Sequence, residues 1–146
     1  MKGVNNYMDI EEKKGFLRSY LEGKKELDSI VESIEALRMS KMLPSINMDG
    51  MPHAHNTSDL SGYVAKLDEL ERKIQAKQWQ IINIQMQIEI SIMEMKSSKE
   101  RMVLRYRYIQ GLKWEEICLK MGYSWQNTHL IHAKALKNFK MPEKLD

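Results

Sequence analysis

Trp125, Gln126, Asn127, His129 and Leu130 fall within six residues of one another, directly after Ser124. Serine is a preferred helix N-cap, so these side chains occupy the first turns of a helix. Gln and Asn each carry a donor and an acceptor that can pair with adenine N6 and N7, worth about 1–3 kcal/mol of base discrimination. A histidine can donate to a guanine or phosphate acceptor. Arg101, Arg105, Arg107, Lys134 and Lys137 lie on either side in sequence and suit the phosphate contacts that fix register on a duplex. The chemistry on offer is base-edge reading with phosphate anchoring. Trp125 and Leu130 suit a protein interface as well as a groove.

Nothing in the chain points to catalysis. It has no Gly-rich phosphate loop, no G-x-S-x-G and no Cys/His set with zinc spacing. Cys118 falls on an apolar helix face, where it is a small core filler rather than a nucleophile. His53 and His55 form an H-x-H pair with no third Cys or His nearby, which is too little for a metal site. The expectation is a binding protein with no enzyme activity, cofactor or metal.

These residues need a scaffold, and Ser98 to Lys140 supplies one as three short helices. Ser97 and Glu100 have the spacing of a capping box before the first, Lys99 to Tyr108. Gly111 stops it, since glycine enters a left-handed C-terminal cap without steric penalty. Trp114 to Met121 follows, with Glu115 and Glu116 in the first turn, where the helix dipole favours negative charge. Gly122 stops that helix and Ser124 opens the third. Val103, Leu104, Ile117, Met121, Ile131, Ala135 and Phe139 fall at helical spacings and can share one small core. Two helices joined by a short glycine-containing turn make a helix-turn-helix pattern, whose second helix can enter a major groove. The same pattern also fits any three-helix miniature with glycine turns.

The stretch LRYRYIQGLKWEEICLKMGYS, with HLIHAKALKNF after it, resembles region 4 of sigma-70-type transcription factors. It is most similar to the sigma-like regulators of phages and prophages of Gram-positive bacteria, which include late-gene activators. The matching pieces are Leu104–Tyr108, Gly111, Trp114–Ile117, Met121–Ser124 and Ile131–Leu136. Pro44-Ser45, Asp49 to His53 and Ser58-Asp59 resemble a loop of small phage proteins in the same group. The resemblance implies that Trp125, Gln126, His129 and Leu130 stand at promoter-reading positions, and that RNA polymerase is a possible partner. The chain departs from the family by carrying Trp125, His129 and Leu130 where arginines are common. It also has Lys113 where Ser or Thr caps the middle helix.

Charge is unevenly distributed. Residues 1–95 hold 12 Lys/Arg and 15 Asp/Glu, net −3, whereas residues 96–146 hold 11 and 5, net +6. The basic excess falls on the helix-turn-helix stretch, where a duplex-binding surface needs it to displace condensed counterions. One cysteine in 146 residues excludes an internal disulfide and fits a reducing cytoplasm. The start of the chain, MKGVNNYMDIEEKK, lacks the apolar core of a signal peptide. No run of 18 apolar residues exists, so no membrane span is expected.

The first 97 residues are expected to be a support. Tyr7 to Met42 carries apolar residues at spacings of three and four, with Gly23 the expected bend. Leu43 to Ser58 has two prolines and an Asp-Gly and predicts a connecting loop. From Asp59, every seventh residue from Leu60 to Met95 is apolar, and the partner positions are Tyr63, Leu70, Lys77, Ile84 and Ser91. That heptad predicts one long helix. Ile84 to Ile92 alternates apolar and polar residues as a strand would, but has no second strand to pair with. Taken as helix, it presents apolar residues on several sides, which predicts deeper burial there than in Asp59 to Gln80.

The expected fold is therefore all-α. A long antiparallel helical hairpin (1–97, loop at 43–58) for oligomerisation or partner binding precedes a helix-turn-helix domain (98–146). Ile81, Ile84, Ile88, Ile92 and Met95 are the expected homodimer interface, because a single neighbouring helix does not cover two apolar faces. The expected function is a cytoplasmic DNA-binding transcriptional regulator acting on double-stranded DNA. A small terminase-like packaging or assembly protein, or a coiled-coil protein-interaction module, are the alternatives.

Overall fold

In the computed structural model, residues 2–42 and 57–143 are described, and their secondary structure is entirely helical. Residues 43–56, with His53 and His55, lie outside them. The helices are α1 (Lys2–Met42), α2 (Thr57–Met93), α3 (Ser98–Leu104), α4 (Trp114–Met121) and α5 (Trp125–Asn138), and Arg105–Ile109 forms a π-helical turn continuing α3. Thr57 already belongs to α2, so the connection ends before the expected Ser58. α1 is unbroken at Gly23. The glycine there is explained by proximity, because a Cβ would lie 3.3 Å from Ile81 Cγ1.

The chain divides into two compact units, one of Met1–Gly23 with Ile81–Asp146, the other of Lys24–Gln80. This grouping differs from a boundary at residue 97. The reason is that the beginning of α1 and the end of α2 are buried together with the three short helices. Lys13 bonds to the end of α5, Phe16 and Phe139 rings are 6.4 Å apart, and Leu21 lies against Gly111.

In the Lys24–Gln80 unit Ile34 is buried and Val31 and Ile74 line the same shallow recess. Glu26 pairs with Lys77 at 2.9 Å, and Arg38 pairs with Glu71. Such exposed pairs contribute about 0–1 kcal/mol each, so apolar contact holds the unit. The heptad positions Tyr63, Leu67, Leu70, Ile74 and Lys77 are all half-buried, while the positions between them are exposed.

The other unit has the denser core. Leu17 and Tyr20 of α1, Ile88 and Ile92 of α2, Val103, Leu104, Tyr108, Ile117, Ala135, Leu136 and Phe139 are all buried. Burying one such aliphatic or aromatic side chain is worth about 1.5–3 kcal/mol, which makes this core the main source of stability. On α2, Ile81, Ile88, Ser91 and Ile92 are buried, as is Met95 just after it, whereas none of residues 61–80 is. Met121 and Ile131 are half-buried at the edge of this core.

Candidate nucleic-acid interface

The three short helices begin and end where local chemistry dictates. Ser97 Oγ accepts from the Glu100 amide at the start of α3. The Glu100 carboxylate accepts from Asn138 Nδ2 at 2.6 Å, tying α3 to the end of α5. Gly111 has φ +71° and Gly122 φ +72°, the left-handed region that a Cβ disfavours. The amides of Gly122 and Tyr123 both donate to the Cys118 carbonyl, at 2.9 and 3.2 Å, and end α4. Lys113 gives α4 no side-chain cap. Two residues after Gly122, Ser124 Oγ accepts from the Asn127 amide at 3.2 Å and starts α5.

Thr128, Ala135 and Leu136 are the buried side of α5. The other side carries Gln126, Asn127, Lys134 and Lys137, all exposed, with Trp125 53% and Leu130 62% exposed. Lys134 and Lys137 are in no ion pair among the described residues. This face thus offers two amides, two ammonium groups and two large apolar side chains to solvent.

His129 does not share that exposure. Its ring lies between Trp114 and Trp125, with centroids 4.5 Å from each, and its Nε2 is buried with no hydrogen-bond partner among the described residues. It packs against Trp125 at a tilt of 49°, so its ring is held within the chain rather than presented to solvent with Gln126 and Asn127. His132, one turn on, packs its ring against Trp114, and its Nε2 is 2.8 Å from Tyr108 Oη. Burial first, then the charges of Lys14, His129, Arg107 and Arg18, lower His132 to about 4. Burial likewise raises Tyr108, against smaller lowering by Arg18 and Arg107. The phenol therefore stays protonated and the imidazole neutral, and the two share one hydrogen bond whose direction follows the ring's tautomer.

The three arginines expected as phosphate anchors are engaged within the chain. Arg101 Nη1 donates to the Met95 carbonyl at 2.5 Å, and Arg105 Nε pairs with Glu89 at 3.2 Å. Arg107 donates to the Leu112 carbonyl at 3.0 Å and lies 4.8 Å from the Trp114 ring centre. Their charge still contributes to the field of the +6 segment, but their hydrogen bonds hold the fold. Two exposed lysines that the sequence did not single out lie near aromatic rings, Lys99 5.3 Å from Tyr123 and Lys120 5.5 Å from Tyr106. Interleaving of basic and aromatic residues over 99–123 was the available signal. Leu119, 83% exposed on α4, also had no sequence role.

Of the expected dimer residues, Ile81, Ile88, Ile92 and Met95 are buried by this chain itself and Ile84 is half-buried. The heptad seam is closed internally, so these side chains are not a free interface. Among the described residues no helix is long and apolar enough to cross a membrane, and no group of three His, Cys, Asp or Glu is placed to hold a metal ion.

No protein-family model matches the chain, nor does any curated protein or solved structure compared with it.

Proposed function

We propose that the chain is a DNA-binding transcriptional regulator of phage or prophage genes. In this reading α4, the Gly122 turn and α5 act as a helix-turn-helix, with the first turns of α5 in the major groove. The observation that supports it is the outward face of α5, an N-capped helix carrying Gln126 and Asn127 ahead of the exposed Lys134 and Lys137, within a segment of net charge +6. Gln126 and Asn127 read bases, and Lys134 and Lys137 anchor phosphate. α1 and α2 act as an antiparallel hairpin that dimerises the protein or meets RNA polymerase, the partner suggested by the resemblance to sigma region 4.

A second reading is favoured by Leu119, Trp125 and Leu130, whose exposure suits a protein surface. Fluorescence anisotropy of the full chain with labelled random and promoter-like duplexes, titrated with salt, separates the two. Binding that weakens steeply with salt supports the regulator. No salt-sensitive binding to any duplex transfers the face to a protein partner.

A further inference from the structure

The closed heptad seam leaves another side of α2 uncovered. Ile82, Met86, Ile90 and Met93 are spaced 4, 4 and 3 residues apart, which places them on one face of the helix. They are 44% to 69% exposed, while Ile81, Ile88 and Ile92 on the other side are buried. Together the four expose roughly 400 Å² of contiguous apolar surface, as large as the largest patch on a typical monomer.

We infer that this face pairs with the same face of a second copy, with α2 crossing α2 antiparallel about a two-fold axis at Met86. An isologous contact requires a face complementary to its own reverse, and Ile82, Met86 and Ile90 meet that condition. With Met86 on the axis, Ile82 of one copy meets Ile90 of the other. Gln85 and Gln87 fall at equal heights about the axis, as do Asn83 and Glu89, so both flanks are lined by polar residues. No charged residue occurs between Lys77 and Glu89, so the centre of the contact sets no like charges together. Glu89 is already held by Arg105 at 3.2 Å and brings no unpaired carboxylate. A charged or nucleic-acid partner would find no complement on this face, whereas a copy of the same helix matches it in length and polarity.

The four side chains supply about 800 Å² across the pair, and the Asn/Gln rim has to bring the contact to the roughly 1,000 Å² of a weak, transient dimer. A dimer with Kd in the micromolar range is expected. The surface does not depend on DNA binding, and its test uses protein alone.

Sedimentation equilibrium of the full chain should show a monomer–dimer equilibrium, and Met86→Glu, an exposed change that leaves the core alone, should raise Kd at least about tenfold. Circular dichroism should show the variant as helical as the parent. Cysteine cross-linking then tests the axis, with Cys118 replaced by serine throughout. Met86→Cys should link to itself. Ile82→Cys should link poorly to itself but readily to Ile90→Cys when the two are mixed. A monomer at 100 μM, on the order of a hundred times the concentration such contacts need, would overturn the proposal. So would a Met86→Glu protein that dimerises unchanged, or an Ile82→Cys protein that links to itself as readily as Met86→Cys does.

Discussion

Lys13 Nζ donates to the backbone carbonyl of Leu136 at 3.1 Å and to that of Lys137 at 3.2 Å, across more than 120 residues of sequence. These carbonyls belong to the last turn of α5, where no intrahelical amide reaches them. The ammonium group therefore caps α5 from α1, at the negative end of its dipole. Asp9, 3.3 Å away, balances the buried charge.

Lys13→Met keeps most of the apolar stem and removes the donors. It should destabilise the unit by about 1–3 kcal/mol, the cost of leaving buried acceptors unmade. The urea midpoint measured by circular dichroism would show it. An unchanged midpoint would mean that water replaces the ammonium group at no cost.

Burial of His132, with the positive charges of Lys14 and Arg107 near it, sets a pH dependence. His132 is lowered in the folded chain to about 4, so it is neutral there while the unfolded chain begins to protonate near its ordinary 6.5. The unfolded state then binds more protons, so this contribution is complete above about 6.5 and is lost as pH falls through the window down to about 4. The loss should be on the order of 1–2 kcal/mol after allowance for partial exposure of the ring. His132→Gln should flatten the difference in unfolding free energy between pH 7 and pH 4.5. An equally steep profile in the variant would assign the effect to other groups.

The glycines separate backbone strain from crowding. Gly122→Ala adds a Cβ with nothing within 4 Å, so its cost is the left-handed conformation alone, about 1–2 kcal/mol. Gly111→Ala carries the same strain and also presses on Leu21 Cδ1 at 3.3 Å, so it should cost more. Gly15→Ala, in the middle of α1 with open space around it, should stabilise by about 0.5–1 kcal/mol. Melting temperatures should rank Gly15→Ala highest, Gly122→Ala next and Gly111→Ala lowest, and Gly122→Ala melting below Gly111→Ala would contradict this.

The sequence discloses what depends on neighbours in the chain. Ser97 and Ser124 are caps, Gly111 and Gly122 are left-handed stops, and the heptad from Tyr63 to Ser91 marks the inward side of α2. These follow from spacing and from the conformations each residue type tolerates. Whatever depends on distant segments is not disclosed. Nothing near Lys13 shows that it caps α5, and nothing near Arg105 shows Glu89 beside it. His129 has the spacing of an exposed α5 residue, but Trp114 from the preceding helix covers its ring. Ile88 and Ile92, expected at an interface between copies, are buried within the chain, because a helix with two apolar sides fills one internally and only tertiary packing decides which.

If the outer face of α5 reads DNA, its residues should fail in two different ways. Lys134→Ala and Lys137→Ala should weaken binding to every duplex alike and reduce the salt slope by about one each, since fewer counterions are displaced. Gln126→Ala should cost about 1–3 kcal/mol on the preferred site and leave non-specific binding nearly unchanged. Arg105→Ala differs from both. It breaks the Glu89 pair, so it should lower the melting temperature along with affinity, a combination not expected of the exposed lysines. Trp125 reports on the face directly, because half of it is exposed beside His129. Duplex bound in the expected place should protect Trp125 from an added fluorescence quencher. Trp79 and Trp114 contribute background that is removed by replacing Trp79 with Phe and comparing with and without Trp125. Quenching of Trp125 that duplex does not change, with binding otherwise intact, would place the DNA on another face of the chain.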